Sequence, residues 1–217
     1  MEFLPEPIAA YAEEFTTPEN TILAELNRET YSKILIPRML SGHLQGQMLA
    51  MFSHMIQPTN ILEIGTYTGY SAICLAKGLT ENGVLHTVDI NDELNPMVLK
   101  YIQKAGLEDK IVTHCGDAKK IIPTLPKLEW DIVFLDADKE RYLYYYQEIL
   151  PSVRKGGFIL VDNVLWSGKV CLSDSEIPMK DAETRRIKEF NAYITNDDRV
   201  ENVLLPVRDG CMVIRKL

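Results

Sequence analysis

Residues 60–71, NILEIGTYTGYS, run from branched apolar residues through two glycines into a helical pattern. A short apolar run such as Asn60–Gly65 reads as a strand covered on both faces. Gly65 and Gly69 read as the turn that follows, where a missing Cβ lets the backbone bend sharply and approach a ligand. Tyr70–Gly78 then reads as a helix. The same alternation continues along the chain. Val84–Asp89 (VLHTVD), Lys110–His114, Trp130–Asp136 (WDIVFLD) and Gly157–Asp162 (GFILVD) read as strands, with helices over Glu93–Ala105 and Lys139–Leu150. Regular β-then-α order implies a doubly wound, mostly parallel α/β sheet.

Further out the pattern changes. A polar helix over Ala182–Thr195 leads to Val200–Pro206 and Gly210–Arg215, which are expected to pair as a hairpin and add an antiparallel edge. Ahead of the sheet, two or three helices are expected, one around Pro18–Ser32 and another around Gly42–Ile56, covering its carboxyl edge or forming a subunit contact. The chain of 217 residues, 46% hydrophobic and 25% charged, is expected to form one domain. Residues 1–58 are its N-terminal helices over the site and 59–217 its α/β core.

A formal charge of -8 argues against a protein whose main task is to coat a phosphate backbone. Arg185, Arg186 and Lys188 lie close together, but read first as a solvated helix face. Cys74, Cys115, Cys171 and Cys211 form no C-x-x-C pair and suit reduced thiols in a cytoplasmic protein. His43, His54, His86 and His114 lack metal-ligand spacing. The N-terminal MEFLPEPIAAYAEEF is acidic and broken by proline, unlike a signal or transit peptide. No apolar run reaches the length of a membrane span.

Two groups of residues carry chemistry. The first surrounds the glycine turn. A helix start behind it offers unpaired N–H groups to an anionic group, and Asp89 ends the next strand, where an acid accepts bonds from a ribose diol. A pyrophosphate binder wants a glycine at the position held by Tyr67, and Glu63 would repel pyrophosphate. A cofactor with a positive amino group, such as S-adenosylmethionine, fits the acid instead. Asp117, followed by Ala118, is placed to meet an adenine amino group; a helix N-cap fits the same position.

The second group lies at the ends of two later strands, Leu135-Asp136-Ala137-Asp138-Lys139 and Val161-Asp162-Asn163. Strand ends in an open α/β sheet face the ligand crevice. Two carboxylates and an amide there suit a hard divalent cation, magnesium first and calcium, manganese or zinc as alternatives. Asp162-Asn163 alone would read as an ordinary turn. Lys139 beside a cation would favour its neutral amine and take a proton, and Asp138 reads as an N-cap. Tyr142, Tyr144, Tyr145 and Tyr146 read as packing. Trp166, in a loop after Asn163, reads either as a wall for a planar substrate or as a loop anchor.

With LEIGTYTGYS, VDI, IQKAG, FLDADKERY, GGFILVDNVLWSG and LPVRDG in view, the chain resembles the cation-dependent O-methyltransferases, which include caffeoyl-CoA and catechol O-methyltransferases. The resemblance implies a Rossmann-like class I methyltransferase fold, seven-stranded with its last strand antiparallel, and a homodimer. It implies Asp136, Asp162 and Asn163 as metal ligands and Lys139 as general base. Glu63, Gly65, Tyr70, Ser71, Asp89, Asp117, Ala118 and Asp136 fall to the cofactor. In the N-terminal part, Met39 falls near the cofactor, and Ser41 and Gly42 near the substrate and metal. Residues 170–181 are shorter than the plant enzymes' insertion for a CoA ester, so the expected acceptor is a small catechol-like phenol. Two rival readings are a hydroxyuridine in tRNA as acceptor, and a dinucleotide-dependent oxidoreductase.

Overall fold

The computed structural model describes residues 5–217, so the first four residues of the acidic N-terminal stretch fall outside the described part. By its contacts the chain divides into two compact units, one of residues 7–126 and one chiefly of 127–217.

The 7–126 unit begins with three helices, α1 (Glu6–Glu14), α2 (Thr21–Lys33) and α3 (Gly42–Ile56). Asn20 caps α2, its side chain accepting the Leu23 N–H at 2.8 Å. After them come β1 (Asn60–Ile64), α4 (Tyr70–Ala76), β2 (Val84–Asp89), α5 (Asn95–Lys104), β3 (Ile111–Cys115) and the short α6 (Ala118–Ile121). Both strand pairs are parallel, with Glu63 opposite Thr87 and Asp89 opposite Cys115. The core gathers around α4, all seven of whose residues are buried. Against it lies α3: a Cβ on Gly78 would stand 2.2 Å from the Ser53 carbonyl carbon, so only glycine permits this approach. In this unit α3 packs on a core helix. No residue of α1 is buried, and Ile8, Tyr11 and Phe15 stand exposed on or just after it.

The 127–217 unit holds β4 (Trp130–Leu135), α7 (Tyr142–Ile149), β5 (Val153–Asp162), α8 (Ala182–Thr195), β6 (Val200–Leu205) and β7 (Cys211–Lys216). Ile132, Val133, Phe134 and Leu135 are fully buried; each such side chain contributes roughly 1.5–3 kcal/mol by leaving water. β5 runs parallel to β4, and β7 runs antiparallel to both β5 and β6. β5 begins at Val153, earlier than the Gly157 start read from sequence, because a register irregularity between Trp130 and Ile132 lets the strand continue through Gly156 at φ +72°. The helix expected from Lys139 starts as a 3₁₀ turn, Lys139–Arg141, and becomes α-helical only at Tyr142. Strand order in the seven-stranded sheet is β3-β2-β1-β4-β5-β7-β6. The mixed, doubly wound α/β fold is the one expected.

Candidate functional site

In the 7–126 unit the chemistry sits on the turn after β1. Gly65 and Gly69 adopt φ of +107° and +89°, and Tyr67 between them is also left-handed at +48°. This backbone turns the Tyr67 N–H onto Asp89, whose Oδ2 accepts it at 2.7 Å, while Oδ1 accepts the Asn91 N–H at 2.9 Å. Asp89 is therefore fixed at the end of β2 by two backbone amides. Glu63 is wholly buried. Its Oε2 accepts the Thr87 hydroxyl from the opposite strand at 2.5 Å, and Thr87 also shares a hydrogen bond with Thr66. A carboxylate taken out of water needs such donors.

The turn is also tied to the N-terminal layer. The Tyr67 hydroxyl donates to the Ile36 carbonyl at 3.0 Å, Thr68 receives the Thr30 hydroxyl at 3.3 Å, and the Tyr70 hydroxyl donates to Glu19. Burial pushes the Tyr67 hydroxyl above its ordinary pKa, so it remains a donor. Ser71 is buried, and Ser41 is buried at the start of α3 without capping it through its side chain. Met39 is exposed at the end of a 3₁₀ turn. Asp117 caps α6 by accepting the Lys119 N–H at 3.0 Å, and Ala118 is buried behind it.

In the 127–217 unit, Asp136 follows β4 and Asp162 ends β5. Lys139 Nζ donates to Asp136 Oδ1 at 2.7 Å, both side chains mostly shielded from water. Burial works against the Lys139 ammonium, but Tyr142 and Asp136 outweigh it and hold the lysine charged well above its ordinary value. Cys211, opposite Asp162 on β7, is pushed up to about 12 by burial and then by the carboxylates of Asp162 and Asp136. Leu135 lies opposite Val161 in the parallel register, so Asp136 and Asp162 follow at neighbouring strand ends. Asn163 follows in a left-handed conformation, φ +60°.

Two residues reach this cluster that sequence reasoning passed over. Tyr142, read only as packing, donates its hydroxyl to the Asp162 carbonyl at 3.0 Å, and the Lys139 ammonium stands 5.1 Å from its ring centroid. The (i, i+3) spacing from Lys139 was the available signal. Cys211 was invisible, because strand register, not sequence distance, places it. Asp138 occupies an N-cap position but does not cap; its carboxylate accepts the Tyr145 hydroxyl at 2.8 Å and pairs with Arg141 at 3.1 Å. The histidines were read as lacking ligand spacing, yet His86 Nδ1 and His114 Nε2 meet at 2.9 Å across β2 and β3.

The donors suit the groups expected of them. Among the described residues no three His, Cys, Asp or Glu side chains gather as a metal centre, and the candidate set needs no third: it is two carboxylates and an amide, a donor set for a hard, partly hydrated cation. The ammonium on Asp136 shows that this position already attracts positive charge. The β1 turn, with a buried acid and an amide-held Asp89, offers what a cationic nucleoside cofactor requires.

Residues 13–217 match a family model described as O-methyltransferase. The chain is 34% identical to a caffeoyl-CoA O-methyltransferase of Medicago sativa, with 92% of this chain and 83% of that protein aligned. It is 39% identical to caffeoyl-CoA O-methyltransferase 1 of Zea mays, over 88% and 76% of the two chains. Among solved structures, an SAH-bound methyltransferase of Podospora anserina superposes with a TM-score of 0.88 at 27% identity, covering 100% and 99% of the chains. An O-methyltransferase from Bacillus cereus in complex with SAH gives 0.87 at 27%, covering 97% of each. With the fold, the glycine turn and these likenesses in agreement, the chain belongs to the S-adenosylmethionine-dependent O-methyltransferase family.

Proposed function

We propose that this protein moves a methyl group from S-adenosylmethionine to one hydroxyl of a catechol-like phenol with the help of a divalent cation, the described chain acting as one methyltransferase domain. The observation that carries this reading is the Lys139–Asp136 pair at 2.7 Å beside Asp162: a general-base candidate held against a candidate metal ligand. Asp136, Asp162 and Asn163 would hold the cation. When bound, it would supply positive charge that favours a deprotonated acceptor hydroxyl and the neutral amine of Lys139.

The chain's own groups do the rest. Glu63, Gly65, Tyr70, Ser71, Asp89, Asp117 and Ala118 would receive the cofactor, Asp89 taking the ribose hydroxyls because two amides fix its direction. Lys139 takes the proton at Nζ. Tyr142 steadies the end of β5 through the Asp162 carbonyl. Trp166 and Ser41 would border the acceptor, and Met39 the cofactor. Holding the acceptor oxygen in line with the methyl group contributes much of the rate.

Names of the relatives support a phenolic acceptor. The tRNA reading finds no support in the basic cluster it needs. Arg185 donates to the carbonyls of Ile177, Pro178, Met179 and Asp181, Arg186 pairs with Glu189, and Lys188 pairs with Asp174. The oxidoreductase reading is set aside by family membership. The apolar Ile8, Tyr11 and Phe15 stripe fits a homodimer contact. Among the described residues no helix is long and apolar enough to cross a membrane, and all four cysteines are free, which fits a cytoplasmic protein.

The test is transfer of labelled methyl from S-adenosylmethionine to catechol, caffeate, caffeoyl-CoA and bulk tRNA, with magnesium and with chelator. Magnesium-dependent labelling of the phenols is expected. Full activity in chelator would sink the metal, and labelling of tRNA alone would sink the acceptor.

A further inference from the structure

The segment after β5 is held in an uncommon backbone. Asn163, Trp166 and Ser167 have φ of +60°, +48° and +54°, and Gly168 follows at +76°. Left-handed φ is costly for side chains other than glycine and persists only where surroundings over-determine it. A second cost is present: the Trp166 Nε1 hydrogen is buried without a hydrogen-bond partner among the described residues.

What over-determines the segment is the turn between β6 and β7. The Asp209 carboxylate accepts the Ser167 N–H at 2.6 Å, and the Asp209 carbonyl accepts the Leu165 N–H at 2.9 Å. The Gly210 carbonyl accepts the Val164 N–H at 3.2 Å. The contact is close: a Cβ on Gly210, itself at φ +85°, would lie 2.5 Å from Leu165 Cγ. From the other side α8 supplies donors. Asn191 Nδ2 reaches the Val164 carbonyl at 2.9 Å and Lys188 the Leu172 carbonyl at 2.8 Å.

We propose that Asp209 is a positioning residue for the acceptor: its carboxylate latches the Ser167 amide, and the latch holds Trp166 where the acceptor docks. This rests on the proposed function only in taking Trp166 as part of the acceptor wall. The carboxylate acts on a backbone N–H, so an amide oxygen at the same place serves nearly as well, while a methyl group does not. Cofactor residues lie on other segments of the chain, so loss of the latch acts on acceptor binding and spares S-adenosylmethionine.

The test combines amide hydrogen exchange with steady-state kinetics on the full chain. In Asp209→Ala, amides of residues 164–168 exchange about tenfold faster. The KM for a catechol rises about tenfold, with the KM for S-adenosylmethionine unchanged within about twofold. Asp209→Asn restores both properties to near wild type. If Asp209→Ala does not accumulate as folded protein, Asp209→Glu, which keeps the charge but overshoots the amide, is expected to show the same split. Unchanged exchange in the Ala or Glu variant overturns the latch. So does an Asn variant as impaired as the Ala variant, or a parallel rise in both KM values. Wild-type protein that turns over no catechol, with exchange responding as stated, overturns the acceptor assignment and the proposed function while the latch itself stands.

Discussion

Each of the two units holds a carboxylate largely out of water, and they partner it differently. Glu63 is met by the hydroxyl of Thr87, a neutral donor on the neighbouring strand. Asp136 is met by the ammonium of Lys139. A buried carboxylate fixed by a hydroxyl on the neighbouring strand has its geometry set before a ligand arrives. A carboxylate already paired with an ammonium has its charge compensated, and a second cation must compete for it. The first arrangement suits steady recognition of a charged cofactor; the second suits a site whose proton and metal occupancy are linked.

The largest effect that would break this contrast lies at the paired acid. Asp136→Ala is expected to lower methyl transfer to a catechol about a thousandfold or more, with a chelator doing the same to wild type; activity near wild type in a labelled-methyl assay would remove Asp136 from the chemistry. At the neutral-held acid the effect is on binding. Thr87→Val, which keeps the shape and removes the donor, is expected to weaken S-adenosylhomocysteine about tenfold by calorimetry, and an unchanged affinity would make the Thr87–Glu63 bond merely structural.

Tyr142→Phe sharpens the contrast on the cation-paired side. It deletes the hydroxyl on the Asp162 carbonyl and is expected to cost about 1 kcal/mol in urea unfolding. The histidine pair gives a pH-dependent term in the other unit. Burial, and for His86 also the neighbouring His114, holds both imidazoles below their ordinary pKa. A group with a lowered folded pKa binds protons more tightly when unfolded. Its destabilisation is absent above about pH 6.5 and grows as pH falls through that value toward the folded pKa. Urea midpoints at pH 7.5 and 5.5 are expected to differ less in His86→Gln than in wild type. The smallest effect is on the surface: Arg186→Ala, breaking an exposed pair with Glu189, is expected to shift stability by under about 0.5 kcal/mol.

Much of the fold was legible because strands such as β1 and β4 are apolar runs, and α2 and α8 follow the capping residues Asn20 and Asp181. The sequence reading places Gly42–Ile56, Val84–Asp89 and Ala182–Thr195 at the bounds observed. It expects two or three helices ahead of the sheet but gives no bounds for α1, which buries none of its residues. At the candidate site, Asp136, Asp162 and Lys139 were readable because strand ends announce themselves. Tyr142, Cys211 and Asp209 were not, since a hydroxyl on a carbonyl, a register partner and a side chain bonding an amide 42 residues away leave no local pattern. The His86–His114 contact escaped for the same reason, its partners lying on different strands.

The donors that α8 extends toward residues 164–181 end chiefly on main-chain carbonyls: Arg185 on those of Ile177, Pro178, Met179 and Asp181, Lys188 on Leu172, and Asn191 on Val164, with Lys188 also pairing with the Asp174 carboxylate. Every amino acid brings a carbonyl, so that part of the clasp is indifferent to the letters it holds. Where a carbonyl is the acceptor, the residue that bears it can change without loosening the path; Asp174, paired with Lys188, and Glu176, bonded to Ser173, hold it through their side chains. The course of this segment is thereby set more by the helix that clasps it than by its own sequence.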